Sequence, residues 1–387
     1  MASPEEQEWR HSLSASERFD NIERIKASLQ AAGPDVAATA PSESFLLESR
    51  AYEESHSRAQ YDEICRVVGL AAPALVQPRT EGHEHGQPKV TIGTYKDCQL
   101  IAGGVTSEVY KSGDKALKVI VETRNIEPHH PQREAKILAT LKRPCIPLLE
   151  TFRDQEQRFV LVFPLMPMTL GDLLEKGPPP LPRIRRIFRD IFTALRDLHE
   201  AGIIHRDIKP SAILLESPDG PAYLSDFGTA WHPTMSAVAE PLNGKILDIG
   251  TSSYRAPECL FGDKSYGPAV DMWAAGSMLA EACRDPPKPL FESRQAHEDG
   301  NQLGLILSIF KTLGTPTAET WPEATHFKTP PFQMYQPIAG HTWEEILPDV
   351  QADFRELIAS LVRFDSKRAT AANALRHVCL EDVNVWE

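Results

Sequence analysis

The spacing of apolar residues along the chain changes twice. Near the amino end Phe19, Ile22, Ile25 and Leu29 recur at helical intervals behind a capping-box pattern, Ser14-x-x-Glu17, and stop at Gly33-Pro34. A second helical pattern runs from about Ser44 to Val68 and is expected to stop at Gly69, after which Pro73, Pro78, Gly82, Gly86 and Pro88 read as a linker. From Val90 the pattern shortens to β-rich runs at 90–101, 107–111, 115–121, 148–152 and 158–163, interrupted by one helix at about 131–142. After Gly171 helical spacing returns, with apolar stretches at about 183–201, 268–283, 301–312, 350–362 and 370–377. The order predicts an α+β chain. An N-terminal helical extension occupies 1–89, a small β-rich lobe 90–166, and a large α-helical lobe 167–387.

Length and charge narrow this picture. A chain of 387 residues suits a two-lobed domain plus an extension rather than one small core. The formal charge of -13 argues against nucleic acid or an anionic membrane surface as the main partner. Residues 1–89 hold 15 Asp and Glu against 9 Lys and Arg, which reads as an acidic arm, packed or free, with a partner-docking helix as the alternative. Cysteines 65, 98, 145, 259, 283 and 379 form no CxxC pair, and the start of the chain lacks the basic-then-apolar order of a signal peptide. No run reaches the roughly 18 apolar residues of a spanning helix. The expectation is a soluble protein of the cytoplasm or nucleus with free thiols and no membrane contact.

The chemistry-bearing residues fall into one series. His205-Arg206-Asp207-Ile208-Lys209-Pro210-Ser211-Ala212 is followed, nineteen residues after Asp207, by Asp226-Phe227-Gly228. Upstream, Lys118 sits in an apolar run, Lys115-Ala-Leu-Lys118-Val-Ile, with Glu134 sixteen residues on in a helical pattern. Before both lies Ile101-Ala-Gly-Gly104-Val-Thr-Ser-Glu-Val109. One strand-end lysine is normally a snorkelling edge residue, and one Gly-Gly pair is normally a turn. Together, in this order, they resemble the motifs of a eukaryotic protein kinase.

That resemblance implies the two-lobed kinase fold, ATP and Mg²⁺, and a protein substrate. It assigns Asp207 to the substrate hydroxyl, Lys209 to the γ-phosphate, Lys118 and Glu134 to the ion pair at the α- and β-phosphates, and Asp226 to Mg²⁺. Thr251 resembles the threonine that hydrogen-bonds the catalytic aspartate and lysine. Ile101, Gly104 and Val109 would cover the nucleotide, with Ala116 and Leu214 as walls of the adenine slot. Phe163 would be the gatekeeper, and Thr169 the ribose neighbour. Pro164 has a carbonyl and no N–H while Met166 has both, so the hinge stays compatible with adenine despite the proline. Glu258 with Arg368 resembles a buried structural pair, and Asp271 the residue that ties down the catalytic-loop backbone. One departure matters. Ala212 stands where kinases carry the asparagine that ligates a second Mg²⁺, which predicts weak binding of that cation.

Further resemblance narrows the family. Tyr254-Arg-Ala-Pro-Glu-Cys-Leu-Phe-Gly, Gln302-Leu, Leu313-Gly-Thr-Pro316 and Trp321-Pro322 resemble the cyclin-dependent kinase group over about residues 97–380. Its cyclin-binding helix signature is replaced by Pro131-Gln-Arg-Glu-Ala-Lys. The segments 239–251 and 298–303 resemble the fungal single-subunit kinases that activate cyclin-dependent kinases. The implied activity is a serine/threonine kinase acting on such kinases as a cyclin-independent monomer; Lys209, two residues after Asp207, agrees with serine or threonine as acceptor. The alternative is an inactive kinase fold serving as a nucleotide-regulated binding module, which Ala212 favours.

An arginine before the catalytic aspartate, here Arg206, usually needs an activation-loop phosphate, which in this group lies five residues before the position of Thr251. That position is Ile246, and 237–250 contains no Ser, Thr or Tyr. The expectation is apolar anchoring by Ile246 and Leu247 and a permanent carboxylate for Arg206 from Glu240 or Asp248. Thr229, Thr234 and Ser236 are the remaining phosphorylatable positions nearby.

Overall fold

The computed structural model describes residues 9, 13, 15–31, 44, 47, 48, 50–52, 55–75, 90–104, 106–121, 127–292 and 302–381. They form two compact units. The first comprises the described residues up to 121 together with Leu148–Leu165; the second comprises the rest.

The first unit has a helical part and a sheet. Helix α1 (Ala15–Ala31) packs on helix α2 (Arg58–Leu75). Ile22, Ile25 and Leu29 are buried on the predicted face of α1, while Trp9, Ala51, Tyr61 and Cys65 form a second apolar cluster. A carboxylate lies inside this part. Glu48, fully buried, accepts from the Arg18 guanidinium at 2.7 and 2.8 Å and from the Tyr61 hydroxyl at 2.7 Å. Arg18 also stacks over the Tyr52 ring at 3.8 Å. The acidic residues of the arm thus include a structural one.

Two details depart from the sequence reading. Residues 55–57 are not helical, which breaks the expected 44–68 helix, and the Ser57 hydroxyl accepts the Gln60 amide at the start of α2. Helix α2 also runs past Gly69 and Pro73 to Leu75. A single interior glycine costs a helix only about 1 kcal/mol, which tertiary packing readily outweighs. Ser14, the Phe19 side chain, Gly33, Pro34 and the linker positions 78–88 lie outside the described residues.

The sheet is antiparallel throughout, in the order β1 (Val90–Ile92), β2 (Tyr95–Gly103), β3 (Ser107–Ser112), β4 (Lys115–Ile120), β6 (Phe159–Pro164), β5 (Glu150–Arg153). Alternation of side chains places Ile92, Cys98, Leu117, Val119, Val160 and Val162 on one core face. The β2–β3 register slips between Leu100 and Ala102, just before the Gly103-Gly104 turn.

The second unit is mainly helical, with α3 (Pro131–Leu138), α4 (Leu170–Leu174), α5 (Leu181–Glu200), α6 (Ala269–Cys283), α7 (Gln302–Leu313), α8 (Ala352–Leu361) and α9 (Ala371–Leu375), plus a small sheet of β7 (Met168–Thr169), β8 (Ile213–Leu215) and β9 (Ala222–Leu224). Helix α5 buries one stripe, Ile184, Ile187, Phe188, Ile191, Leu195 and Leu198, and keeps its arginines outward. Helix α6 is apolar all round and almost wholly buried, as its composition requires. At Gly276 a Cβ atom would lie 2.7 Å from Leu361 Cβ, so glycine is what lets α8 approach. The sequence division assigned residues near 127–147 to the β-rich lobe; here they pack with the second unit. Leu224 bonds Pro144 O and Ile146 N at 2.9 Å, and His130 N bonds Gly228 O at 3.1 Å. All six cysteines are free thiols, and no described helix is long and apolar enough to cross a membrane.

The Glu48 cluster makes a local prediction. Replacing Glu48 with Gln leaves the Arg18 charge poorly compensated inside the protein, a loss of about 3 kcal/mol. Hydrogen exchange should accelerate in Ala15–Ala31 and Arg58–Leu75 and remain unchanged in Ala269–Cys283; uniform acceleration in all three would contradict a separately stabilised extension.

Candidate active site

Asp271, at the start of α6, organises the loop that carries the candidate chemistry. One of its carboxylate oxygens accepts the His205 amide and the His199 ring, both at 2.9 Å, and the other accepts the Arg206 amide at 2.8 Å. Burial alone would raise this carboxyl, but His199, His205 and the Arg206 amide outweigh it and hold it below the usual carboxylate range. The constraint has a purpose in the backbone: Arg206 has φ 74° and Asp226 φ 61°, a left-handed conformation costly for residues other than glycine. Anchored this way, the loop turns sharply between Ile204 and Ile208 and presents Asp207 outward.

Asp207, Lys209 and Thr251 are brought together. The Thr251 hydroxyl donates to Asp207 Oδ1 at 2.6 Å, and Lys209 Nζ lies 2.7 Å from Asp207 Oδ2 and 3.1 Å from Thr251 Oγ1. A carboxylate with both oxygens directionally held keeps a fixed orientation while its edge remains accessible; its side chain is 13% exposed. Asp226 opens the turn Phe227–Thr229, against which α3 packs. The buried Phe227 ring meets His205 edge-on at 4.9 Å. Position 212 presents only a methyl group, 1% exposed.

Arg206 is paired with Glu240. The guanidinium donates to the two Glu240 oxygens at 2.6 and 3.0 Å, and neither side chain has exposed surface. Arg206 further donates to Tyr266 Oη at 3.1 Å and to Thr229 O, and Glu240 also accepts the Ile246 amide at 3.0 Å. Burial would push the Glu240 carboxyl up, but Arg206 and the Ile246 amide prevail and hold it low. Of the two acids named from sequence, Glu240 takes the role, whereas Asp248 pairs with Arg255 at 3.2 Å. The expected apolar anchors are corrected as well. Ile246 and Leu247 are only half-buried, and Ile249 and Lys245 are buried instead. Lys245 lies over the rings of Trp231 at 4.8 Å and Tyr266 at 5.3 Å, and burial lowers its pKa. Nothing in an Asn-Gly-Lys turn pattern signals a buried lysine. Gly250, at φ +76°, then lets the chain turn into Thr251.

The remaining candidates distribute between the units. Lys118 lies on β4 opposite Val109 and Leu161, Ala116 lies opposite Phe163, and Pro164 closes the β4–β6 ladder opposite Lys115. Ile101 is on β2 and 38% exposed, and Gly104 N bonds Ser107 O at 2.8 Å across the adjoining turn. In the second unit, Glu134 is buried on α3 beside Arg133, which grips Glu127 at 2.8 and 2.9 Å. Helix α3 is thus held by its own unit. Met166 precedes β7, and Leu214 pairs with Thr169 across β7 and β8. The Thr169 hydroxyl is engaged in a capping box with Asp172, a use that the ribose assignment did not include. Glu258 and Arg368 form a bidentate buried pair at 2.7 and 3.1 Å.

Residues 95–380 match the protein kinase domain family. Serine/threonine-protein kinase csk1 of Schizosaccharomyces pombe is 34% identical over 288 residues, covering 70% of this chain and 89% of that protein. Serine/threonine-protein kinase CAK1 of Saccharomyces cerevisiae is 30% identical, covering 58% of this chain and 75% of its own length. Cell division control protein 2 homolog 2 of Trypanosoma brucei brucei is 29% identical over 83% of this chain and 92% of itself. A chain in the crystal structure of the yeast RNA Pol II CTD kinase CTDK-1 complex superposes with a TM-score of 0.61 at 24% identity, over 77% of this chain and 95% of that one, which shows a common fold.

If Glu240 replaces an activating phosphate, phosphatase-treated protein should keep its full phosphoryl-transfer activity. Glu240→Gln should lower kcat by about 10²-fold, the rate equivalent of roughly 3 kcal/mol. Loss of activity on dephosphorylation would instead implicate Thr229, Thr234 or Ser236; of these Ser236 is fully buried and Thr234 exposed. Because the folded carboxyl is depressed, its stabilisation is complete above the ordinary glutamate value of 4.5 and is lost as pH falls through the lower folded value. Thermal melts should show that acid loss in the parent and less of it in Glu240→Gln.

Proposed function

The chain belongs to the protein kinase family, as a serine/threonine kinase related to the cyclin-dependent group, and we propose that it phosphorylates the activation-loop threonine of cyclin-dependent kinases as a monomer without a cyclin. The observation that carries an active enzyme is the closed arrangement of Asp207, Lys209 and Thr251, with Arg206 beside it already neutralised by Glu240. Substrate class draws support from the resemblance of residues 239–251 to the fungal activating kinases. Independence of a cyclin draws support from Arg133, whose hold on Glu127 and on the Pro128 carbonyl steadies α3 from within the chain.

Chemically, phosphoryl transfer asks for positioning and charge stabilisation more than for covalent help. Asp207 would accept a hydrogen bond from the substrate hydroxyl and receive its proton as the oxygen attacks. Lys209, fixed between Asp207 and Thr251, would place a positive charge at the transferred group. Lys118 would meet the α- and β-phosphates. When bound, ATP supplies the phosphoryl group, and Mg²⁺ supplies charge neutralisation that one carboxylate, Asp226, is suited to anchor.

A non-catalytic, nucleotide-binding role takes its support from Ala212, and one assay separates the two. Purified chain incubated with labelled ATP and a monomeric cyclin-dependent kinase should label that kinase on its activation-loop threonine. Asp207→Asn should reduce the rate by at least about 10²-fold, as expected on removing a general base. Nucleotide binding without any transfer, equal in parent and variant, would establish the binding-module reading.

A further inference from the structure

We propose that this chain retains a single divalent cation with its nucleotide, held by Asp226, and that no second cation site exists. The inference rests on the kinase reading above. It comes from what surrounds position 212, where the family resemblance calls for a ligand.

A hard cation such as Mg²⁺ or Mn²⁺ needs oxygen donors with free lone pairs. The side chain of Ala212 has none. Its carbonyl, the remaining local oxygen, has two lone pairs and both are engaged: the Ser225 amide donates at 2.9 Å and the Ser225 hydroxyl at 2.8 Å. The Ser225 carbonyl in turn bonds His205 Nε2 at 2.9 Å. The hydroxyl of Ser225, buried and directed at Ala212, is therefore oriented away from ligand duty. Asp207, the next carboxylate along the loop, has Oδ1 bonded to Thr251 and Oδ2 to Lys209. Among the described residues no group of three or more His, Cys, Asp or Glu side chains is placed to hold a metal ion. One carboxylate, Asp226, is then left to anchor a cation on the phosphates. One carboxylate plus phosphate and water oxygens makes a complete Mg²⁺ shell, so the first site is sufficient while the second has no protein donor. The charge that a second cation would balance falls to lysine, above all to Lys209, whose ammonium is already fixed at the reacting edge.

Counting cations tests this independently of turnover. Full-length chain saturated with a non-hydrolysable ATP analogue would be titrated with Mn²⁺, and bound Mn²⁺ would be read from the paramagnetic resonance signal of the free ion. The expected result is one Mn²⁺ per bound nucleotide up to millimolar concentration, lost in Asp226→Asn. Ala212→Asn should add a second Mn²⁺, at least about tenfold tighter than any residual binding in the parent. Two Mn²⁺ per nucleotide in the parent would overturn the proposal while leaving the kinase reading intact. No nucleotide binding at all would remove the kinase reading and the proposal with it. Because position 212 is buried, asparagine could disturb the loop; the parent count decides the question by itself, and nucleotide affinity of the variant reports whether its site is intact.

Discussion

Arg206 and Glu240 carry full opposite charges in an interior where neither has exposed surface, and the activation segment is arranged around their contact. Taking two ions out of water costs several kcal/mol each, so such a pair is seldom the cheapest way to stabilise a core. Its value is directional. A bidentate guanidinium admits one orientation of the carboxylate, and Glu240 also binds the Ile246 amide, while its own carbonyl accepts Trp231 Nε1 at 2.9 Å. One residue thus pins the loop at its side chain and its backbone. Lys245, sheltered between Trp231 and Tyr266, closes the same cluster, so four ring or charge contacts specify a path that a flexible loop would not choose.

The same arginine belongs to the catalytic loop. Its amide is held by Asp271 and its side chain by Glu240, which joins helix α6 to the activation segment through one residue in left-handed geometry. Displacement at Glu240 therefore reaches Asp207, the next residue, without any intermediate. Thr251 completes the circuit, since it follows the loop's exit turn at Gly250 and hydrogen-bonds Asp207 directly. In relatives that use phosphate for this purpose, order is conditional. Here the charge is part of the chain, and order depends on pH and sequence alone.

Much of this was legible before any coordinates. Apolar periodicity located the helices at Leu181–Glu200, Ala269–Cys283 and Ala352–Leu361 to within a few residues, because long buried stripes leave a strong local trace. The lack of any phosphorylatable residue over 237–250 pointed to an acid for Arg206. It left two acids open, since adjacency in sequence says nothing of which side chain turns inward. Residues 55–57 and Gly69 were misjudged for a related reason: local breakers act weakly, and packing of α1 on α2 overrode them.

What the sequence determined by itself was the family, the order of elements and the inventory of reactive groups, since spacing such as the nineteen residues from Asp207 to Asp226 is a property of the chain. Tertiary structure alone decided how those groups are engaged. It chose Glu240 over Asp248, buried Lys245 against two rings, gave residues 127–147 to the second unit, and directed Ser225 at the carbonyl of Ala212. Each of these choices joins residues from different elements under competition for burial and hydrogen bonds, and that competition has no representation in the order of residues along one strand or helix.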